Sequence, residues 1–316
     1  MSAPSISVLV PVFNEAESLP ELQTQLVGAL DALGRSWEIL YVDDGSRDGS
    51  DVVIAGLVAR DARVRGLSFR RNFGKSAALS VGFRMARGAW VATIDADLQD
   101  DPAELPRLVA ALEGGLDLVS GWKQERHDPF TKTVPSRLFN AVTGMVAGVR
   151  LHDFNCGFKL YRREVVESIE VYGELHRFLP ALAHWRGFRV GEVAVHHRAR
   201  KYGRSKFGAA RFVNGFLDLL SAAFLSTSAL KPLHLFGRIG LLFLGIGVLV
   251  GVGFVVQWLG GDPIRVRPLM LFGAGLVLLG IQFILMGLLG EMIARLHAPR
   301  ADYPIRAHYE CERTGG

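Results

Sequence analysis

Residues 92–102, ATIDADLQDDP, place four carboxylates, Asp95, Asp97, Asp100 and Asp101, within seven positions at the end of an apolar run. Ionised side by side they repel one another, so the cluster calls for a matching positive charge. The run WVATIDAD (90–97) reads as a buried β-strand, with Asp95 and Asp97 still inside its end. Those two carboxylates, with the Gln99 carboxamide, suit a hard divalent cation. Mg2+ and Mn2+ take oxygen ligands and commonly bridge to substrate phosphates. Asp101 is expected to cap the helix that starts at Pro102, and Asp100 reads equally as a cap or as part of the acidic site.

Working outward, ISVLVPVF (6–13), WEILYVDD (37–44) and VRGLSF (64–69) are further apolar, β-branched runs. Segments of helical periodicity follow the runs, for example ESLPELQTQLVGALDAL. Strands alternating with helices predict an α/β fold with a mostly parallel sheet covered on both faces. Ligands of such sheets bind beyond the carboxyl ends of the strands. Polar residues gather at those ends: Asn14 and Glu15, Asp43 and Asp44, Arg71 and Asn72, Asp95 and Asp97. In the bland alternative, VFNE is a strand-to-helix turn capped by Asn14, and DDGSRDGS is a turn followed by a capped helix in which Gly45 and Asp48 serve.

The chain has 316 residues, 49% hydrophobic and 21% charged, with a formal net charge of +5. That composition excludes a disordered or fibrous chain and hints at an anionic partner. Cys156 and Cys311 are the only cysteines, so a disulfide framework or structural zinc is not expected, and a reducing compartment fits. The N-terminal stretch MSAPSISVLVPVFNE does not read as a signal peptide. Residues 239–259 and 269–290 carry no charge and are each long enough to cross a bilayer, with GGDPIRVR (260–267) as the turn of a hairpin. Gly247 and Gly251, four apart, offer close helix packing. Lys231, Arg238, Arg295 and Arg300 flank the outer ends, which puts the bulk of the chain in the cytoplasm, although Arg265 and Arg267 in the turn oppose that orientation.

From His196 through Arg211 there are six Lys or Arg residues and no Asp or Glu, interleaved with Tyr202 and Phe207. No nucleic-acid module accompanies them. An apolar stretch follows at once, so a phosphate-binding loop at a membrane surface is the favoured reading. RNFGKSAAL lacks the spacing of a phosphate-binding Walker loop.

The ordered set VPVFNEAESL, VDDGSRDGS, RNFGKSAALSVGF and DADLQDDP resembles the GT-A fold of family 2 glycosyltransferases. With LHDFNCGFKLYRR, HHRARKYGRSKFG and the terminal hairpin, residues 5–295 resemble the polyprenyl-phosphate glycosyltransferases, the group that includes dolichol-phosphate mannose synthase and bactoprenol glucosyltransferases. The resemblance implies a nucleotide-diphosphate sugar donor, a polyprenyl phosphate acceptor such as undecaprenyl phosphate, inversion at the anomeric carbon, and an Mg2+ or Mn2+ cofactor. UDP-glucose is the favoured donor, with GDP-mannose or another UDP-sugar as alternatives. The implied organisation is a cytoplasmic GT-A catalytic domain (1–205), interfacial amphipathic helices (206–235), a membrane hairpin (236–295) and a cytoplasmic tail (296–316), in the inner membrane, with a homo-oligomer possible.

Carried over by motif, Pro11, Phe13 and Glu15 line the base and ribose pocket, and Val42 and Asp44 lie against the base. Asp97 and Gln99 hold the metal on the diphosphate, with Asp95 and Ala96 beside them. Arg200, Ser205 and Lys206 grip phosphates. Lys123, where the family carries arginine, and Arg137 match other basic positions of the cleft. Asp153 matches the family's proposed base, with orientation of substrate as the competing role. Cys156 reads as a small core residue. A phosphate monoester has a second pKa near 6, so the acceptor is already a competent nucleophile and a strong base is dispensable. Two alternatives stand beside this reading. A processive polysaccharide synthase would carry a QxxRW signature, which AHWRGF (183–188) only approaches, and a non-catalytic scaffold would have lost the acidic and basic residues that are present here.

Overall fold

The computed structural model describes residues 3–123, 140, 143–198, 232–261 and 268–297. The chain divides into two compact units, Met1–Ala222 and Ala223–Gly316.

The first unit is a seven-stranded sheet flanked by helices. Its elements run β1 (Ile6–Val12), α1 (Leu19–Ala32), β2 (Trp37–Asp43), α2 (Ser50–Arg60), β3 (Val64–Ser68), α3 (Lys75–Met85), β4 (Trp90–Thr93), α4 (Leu105–Glu113), β5 (Leu118–Lys123), β6 (Lys159–Arg162), α5 (Arg163–Ser168), α6 (Leu179–Trp185) and β7 (Val190–Val195). The strand order is β3-β2-β1-β4-β6-β5-β7. β6 runs antiparallel to both its neighbours, and the other pairings are parallel. The expected mostly parallel sheet is present.

Residues along β1 and β2 are buried nearly throughout, as strands covered on both faces must be. Alternation assigns them to two cores. Val8, Val10 and Val12 pack with Leu22, Leu26 and Leu30 of α1, while Leu9, Leu40 and Val42 pack with Leu79 and Phe83 of α3.

β4 ends at Thr93, four residues short of the expected Asp97. Its ladders to β1 and β6 stop at Leu9↔Thr93 and Thr93↔Lys159, after which only the Ile94 amide still bonds to Leu9 O. Asp95 and Asp97 therefore belong to a loop, not to the strand.

The second unit contains α7 (Pro232–Leu259) and α8 (Pro268–His297). At 28 and 30 residues they extend for roughly 42 and 45 Å. Each is long and apolar enough to cross a membrane, with mean hydropathy of 2.7 and 2.4 over an 18-residue stretch. Leu241, Leu249, Val256, Leu271 and Leu278 face outward, as side chains that meet lipid would.

The helices pack antiparallel along a glycine seam. A Cβ at Gly240 would lie 2.7 Å from Gly280 O, and one at Gly247 would lie 2.7 Å from Gly273 O. The seam thus uses a seven-residue spacing on each helix, the left-handed coiled-coil period. Gly251, which the sequence paired with Gly247, has nothing near it. Gly240→Leu is accordingly expected to lower the thermal stability of the full-length protein in detergent by several degrees, and Gly251→Leu to leave it within a degree or two. Thermal unfolding of the two variants checks this ordering.

Candidate active site

The loops after β1 and β2 are stitched into one body. Asn14 has φ of 56°, a left-handed conformation that asparagine tolerates. Its amide donates to Ser46 Oγ at 2.8 Å, and its Oδ1 accepts from the Arg47 amide at 2.8 Å. The Glu15 amide donates to Ser50 Oγ at 3.1 Å, and the Ala16 amide to Asp48 Oδ2 at 2.9 Å. Asp48 also accepts from the Ser50 hydroxyl, so its role is to hold the turn, as the sequence suggested. Asn14 is not a helix cap, because α1 begins only after Ser18. Pro11 stands opposite Val42 in the ladder, and Phe13 and Glu15 are half-buried just beyond it.

Asp44 closes the next loop. Its Oδ1 accepts from the Phe73 amide at 2.7 Å, and its Oδ2 accepts from Gly74 N and Asn72 Nδ2, each at 2.9 Å. Burial raises its pKa despite the Phe73 and Gly74 amides, and the Asp43 charge adds to the rise. Each oxygen has two lone pairs, so a base contact would share Asp44 with the loop it already orders. The Val42 side chain is fully buried in the α3-side core, which makes its part in a base pocket indirect.

The acidic loop is sorted residue by residue. Ala96 and Leu98 are buried in the core. Leu98 has φ of 61°, a conformation that costs an L-residue about 1–2 kcal/mol, and such strain concentrates at functional loops. Asp95 pairs with Lys75. Asp97 is buried, and its Oδ1 accepts from the Gln99 amide at 3.2 Å. Asp101 caps the short turn Pro102–Glu104, accepting from the Ala103 amide at 3.0 Å, and also pairs with Arg198.

Asp100 is not a cap. It is 1% exposed and faces Lys123 Nζ at 3.1 Å and His197 Nδ1 at 3.7 Å. Burial alone would raise its pKa. The Lys123 charge, with His197, outweighs burial and holds it down to about 2. Burial likewise works against the charge of Lys123, but Asp100 more than offsets this and holds the ammonium above the ordinary lysine range. Lys123, expected among the substrate-binding residues, is thus committed to a carboxylate of the acidic loop.

Asp153 is buried, with Oδ1 accepting from the Asn155 amide at 3.0 Å. The residue before it is clamped: His152 pairs with Glu192 and stacks on Trp122, ring centroids 4.1 Å apart, and its carbonyl accepts from Asn140 Nδ2 at 2.7 Å. Burial pushes the Cys156 thiol up to about 12, in keeping with a core residue and not a nucleophile.

Three residues that the sequence did not single out meet here. Lys75, Lys159 and His176 line a small cavity with Pro11, Thr93 and Asp95. Lys159 is 2% exposed and donates to the Cys156 carbonyl, and burial lowers its pKa. The available signal was a lysine inside the strand-like run CGFKLYRR. Arg137, Arg200, Ser205 and Lys206 lie outside the described residues.

Among the described residues no group of three or more His, Cys, Asp or Glu could hold a metal ion. Asp97 and Gln99 offer oxygen donors of the kind a hard cation takes, which suits an ion that completes its shell with substrate phosphates.

Gly157 packs against the Asp95 carboxylate, where a Cβ would overlap it. Gly157→Ala should destabilise the protein by about 1–3 kcal/mol, and by less than half that in an Asp95→Ala background. Denaturant titration of the double-mutant cycle measures the coupling. Equal costs in both backgrounds would show that the carboxylate is not what the glycine accommodates.

The family described as Glycosyl transferase family 2 matches residues 7–170. Among the relatives, dodecaprenyl-phosphate galacturonate synthase of Rhizobium johnstonii is 39% identical over 305 residues, spanning 92% of this chain and 88% of its own. Undecaprenyl-phosphate 4-deoxy-4-formamido-L-arabinose transferase of Shewanella sediminis is 36% identical over 298 residues, spanning 93% and 88%. Among solved structures, glucosyl-3-phosphoglycerate synthase from Mycobacterium tuberculosis, in complex with Mn2+, UDP-glucose and phosphoglyceric acid, shares the fold. Its TM-score is 0.56 at 20% identity, covering 72% of this chain and 82% of that one. The sheet with its flanking helices is the GT-A arrangement, and the chain belongs to glycosyl transferase family 2.

Proposed function

We propose that this glycosyltransferase moves one sugar from a nucleotide-diphosphate sugar to a polyprenyl phosphate at the cytoplasmic leaflet of the inner membrane, inverting the anomeric carbon. The observation that carries the reading is the strained acidic loop at the carboxyl end of β4, tied to the root of the basic segment, in a chain with two bilayer-length helices. The relatives differ in the sugar they are named for but share a prenyl phosphate in their names, so the acceptor class has the firmer support. UDP-glucose is the donor favoured by the sequence resemblance, and the relatives' names add galacturonate and a modified arabinose as candidates.

In this reading Pro11, Phe13, Glu15 and the loop ordered by Asp44 receive the nucleoside. Asp97 and Gln99 hold Mg2+ or Mn2+, and Asp95 keeps Lys75 beside them. The cation, when bound, neutralises the diphosphate of the departing nucleotide. Arg200, Ser205 and Lys206, with Arg137, engage phosphates, for which both Arg and Lys are suited. The acceptor phosphate needs orientation more than deprotonation, since much of it is a dianion near pH 7. Asp153, buried and held by the Asn155 amide, is proposed as an orienting residue.

Purified protein in detergent, given undecaprenyl phosphate and a panel of radiolabelled UDP- and GDP-sugars, should move label into the organic phase from one donor, and EDTA should stop the transfer. Asp97→Asn should lower the rate at least 100-fold while the protein remains folded. No transfer from any donor, or undiminished transfer in EDTA, would overturn the reading.

A further inference from the structure

The acidic loop and the root of the basic segment are joined by contacts that the proposed chemistry does not use. Asp100 and His197 form an isolated antiparallel β-bridge, and the Arg198 amide donates to the Gln99 carbonyl at 2.8 Å. Side chains repeat the link. Asp100 faces inward to Lys123 and His197. Asp101 faces outward to Arg198, which also donates to Gln25 Oε1 of α1 at 2.9 Å. β5 and the chain after β7 therefore converge on two adjacent carboxylates of the acidic loop, and Arg198 links them to α1.

Stability alone does not account for them. Desolvating a carboxylate is costly, and a buried ion pair is seldom more stabilising than apolar residues of similar size. Two peptide units, at most about 7 Å of chain, separate Arg198 from Arg200. Fixing Arg198 therefore limits how far the next arginine of the basic segment can lie from the acidic loop.

We propose that Asp100, Asp101, His197 and Arg198 are positioning residues, forming a clasp that sets the acceptor side of the site at a fixed distance from the donor side. The clasp rests on the proposed function, with the Asp97 loop taken as the donor side and the basic segment, read from the sequence as a phosphate-binding loop at a membrane surface, taken as the acceptor side. Its purpose is alignment: in-line displacement tolerates little error, and a shift of about 1 Å can cost 100-fold in rate. Lys123 belongs to the same device, as the buried charge that keeps Asp100 turned inward.

The test uses the full-length protein in detergent, with Arg198→Gln, Asp101→Asn and the charge swap Asp101→Arg/Arg198→Asp. Asp101→Asn is the mildest, because asparagine can still accept from the Ala103 amide. Hydrogen exchange is followed in peptides covering residues 95–103 and 190–198. Arg198→Gln should raise exchange in both peptides, although only one carries the substitution. The KM for polyprenyl phosphate should rise at least fivefold in both single variants, the donor KM should stay within twofold, and the swap should restore the acceptor KM to within threefold of the original. Exchange that rises only in the substituted peptide overturns the clasp. So does a parallel rise in both KM values, or a swap that restores nothing. If the unaltered protein transfers no sugar, the proposed function fails, and the exchange experiment still decides whether the clasp exists.

Discussion

Crowded carboxylates beyond the end of a central strand are tolerable only where positive charge meets them. In this chain Asp95 meets Lys75, Asp100 meets Lys123, and Asp101 meets Arg198. The three cations come from the start of α3, the end of β5 and the chain after β7, so neutralising the acidic loop also fixes those elements around it. The loop keeps a left-handed leucine at its centre because Ala96 and Leu98 are held in the core on either side of Asp97. Asp97 is thereby presented at a defined place beyond β4, beside the loops that follow β1 and β2.

The same economy of contacts appears in the two apolar helices. Their antiparallel pairing relies on glycines at seven-residue intervals that bring backbone against backbone, and it leaves the large aliphatic side chains outward. Lipid tails are as apolar as leucine, so close van der Waals packing has to supply the attraction between helices that water supplies elsewhere.

Much of this was legible because it follows from short-range rules. Continuous apolar runs followed by helical periodicity gave β1 to β4 within a residue or two, except at the end of β4. There the apolar pattern of IDADL continues past the last ladder partner, and sequence carries no mark of where neighbouring strands stop. Asp101 as a cap was readable from the proline that follows it. The role of Asp100 was not, because its partners Lys123 and His197 are 23 and 97 residues away. The family resemblance places Lys123 at a basic position of the cleft, and its ammonium faces the Asp100 carboxylate, a partner that the sequence does not mark. Lys159 escaped notice because a buried lysine breaks the alternation on which strand reading depends.

The central claim is that the four carboxylates divide their work, with Asp97 directed to a metal-bound diphosphate and Asp101 to the protein itself. Calorimetric titration of UDP into the full-length protein with and without Mn2+ tests this directly. For Asp97→Asn the account predicts loss of at least tenfold of the Mn2+-dependent affinity, and for Asp101→Asn an affinity within threefold of the unaltered protein. Equal losses in the two variants, or Mn2+-dependent UDP binding that survives Asp97→Asn, would contradict it.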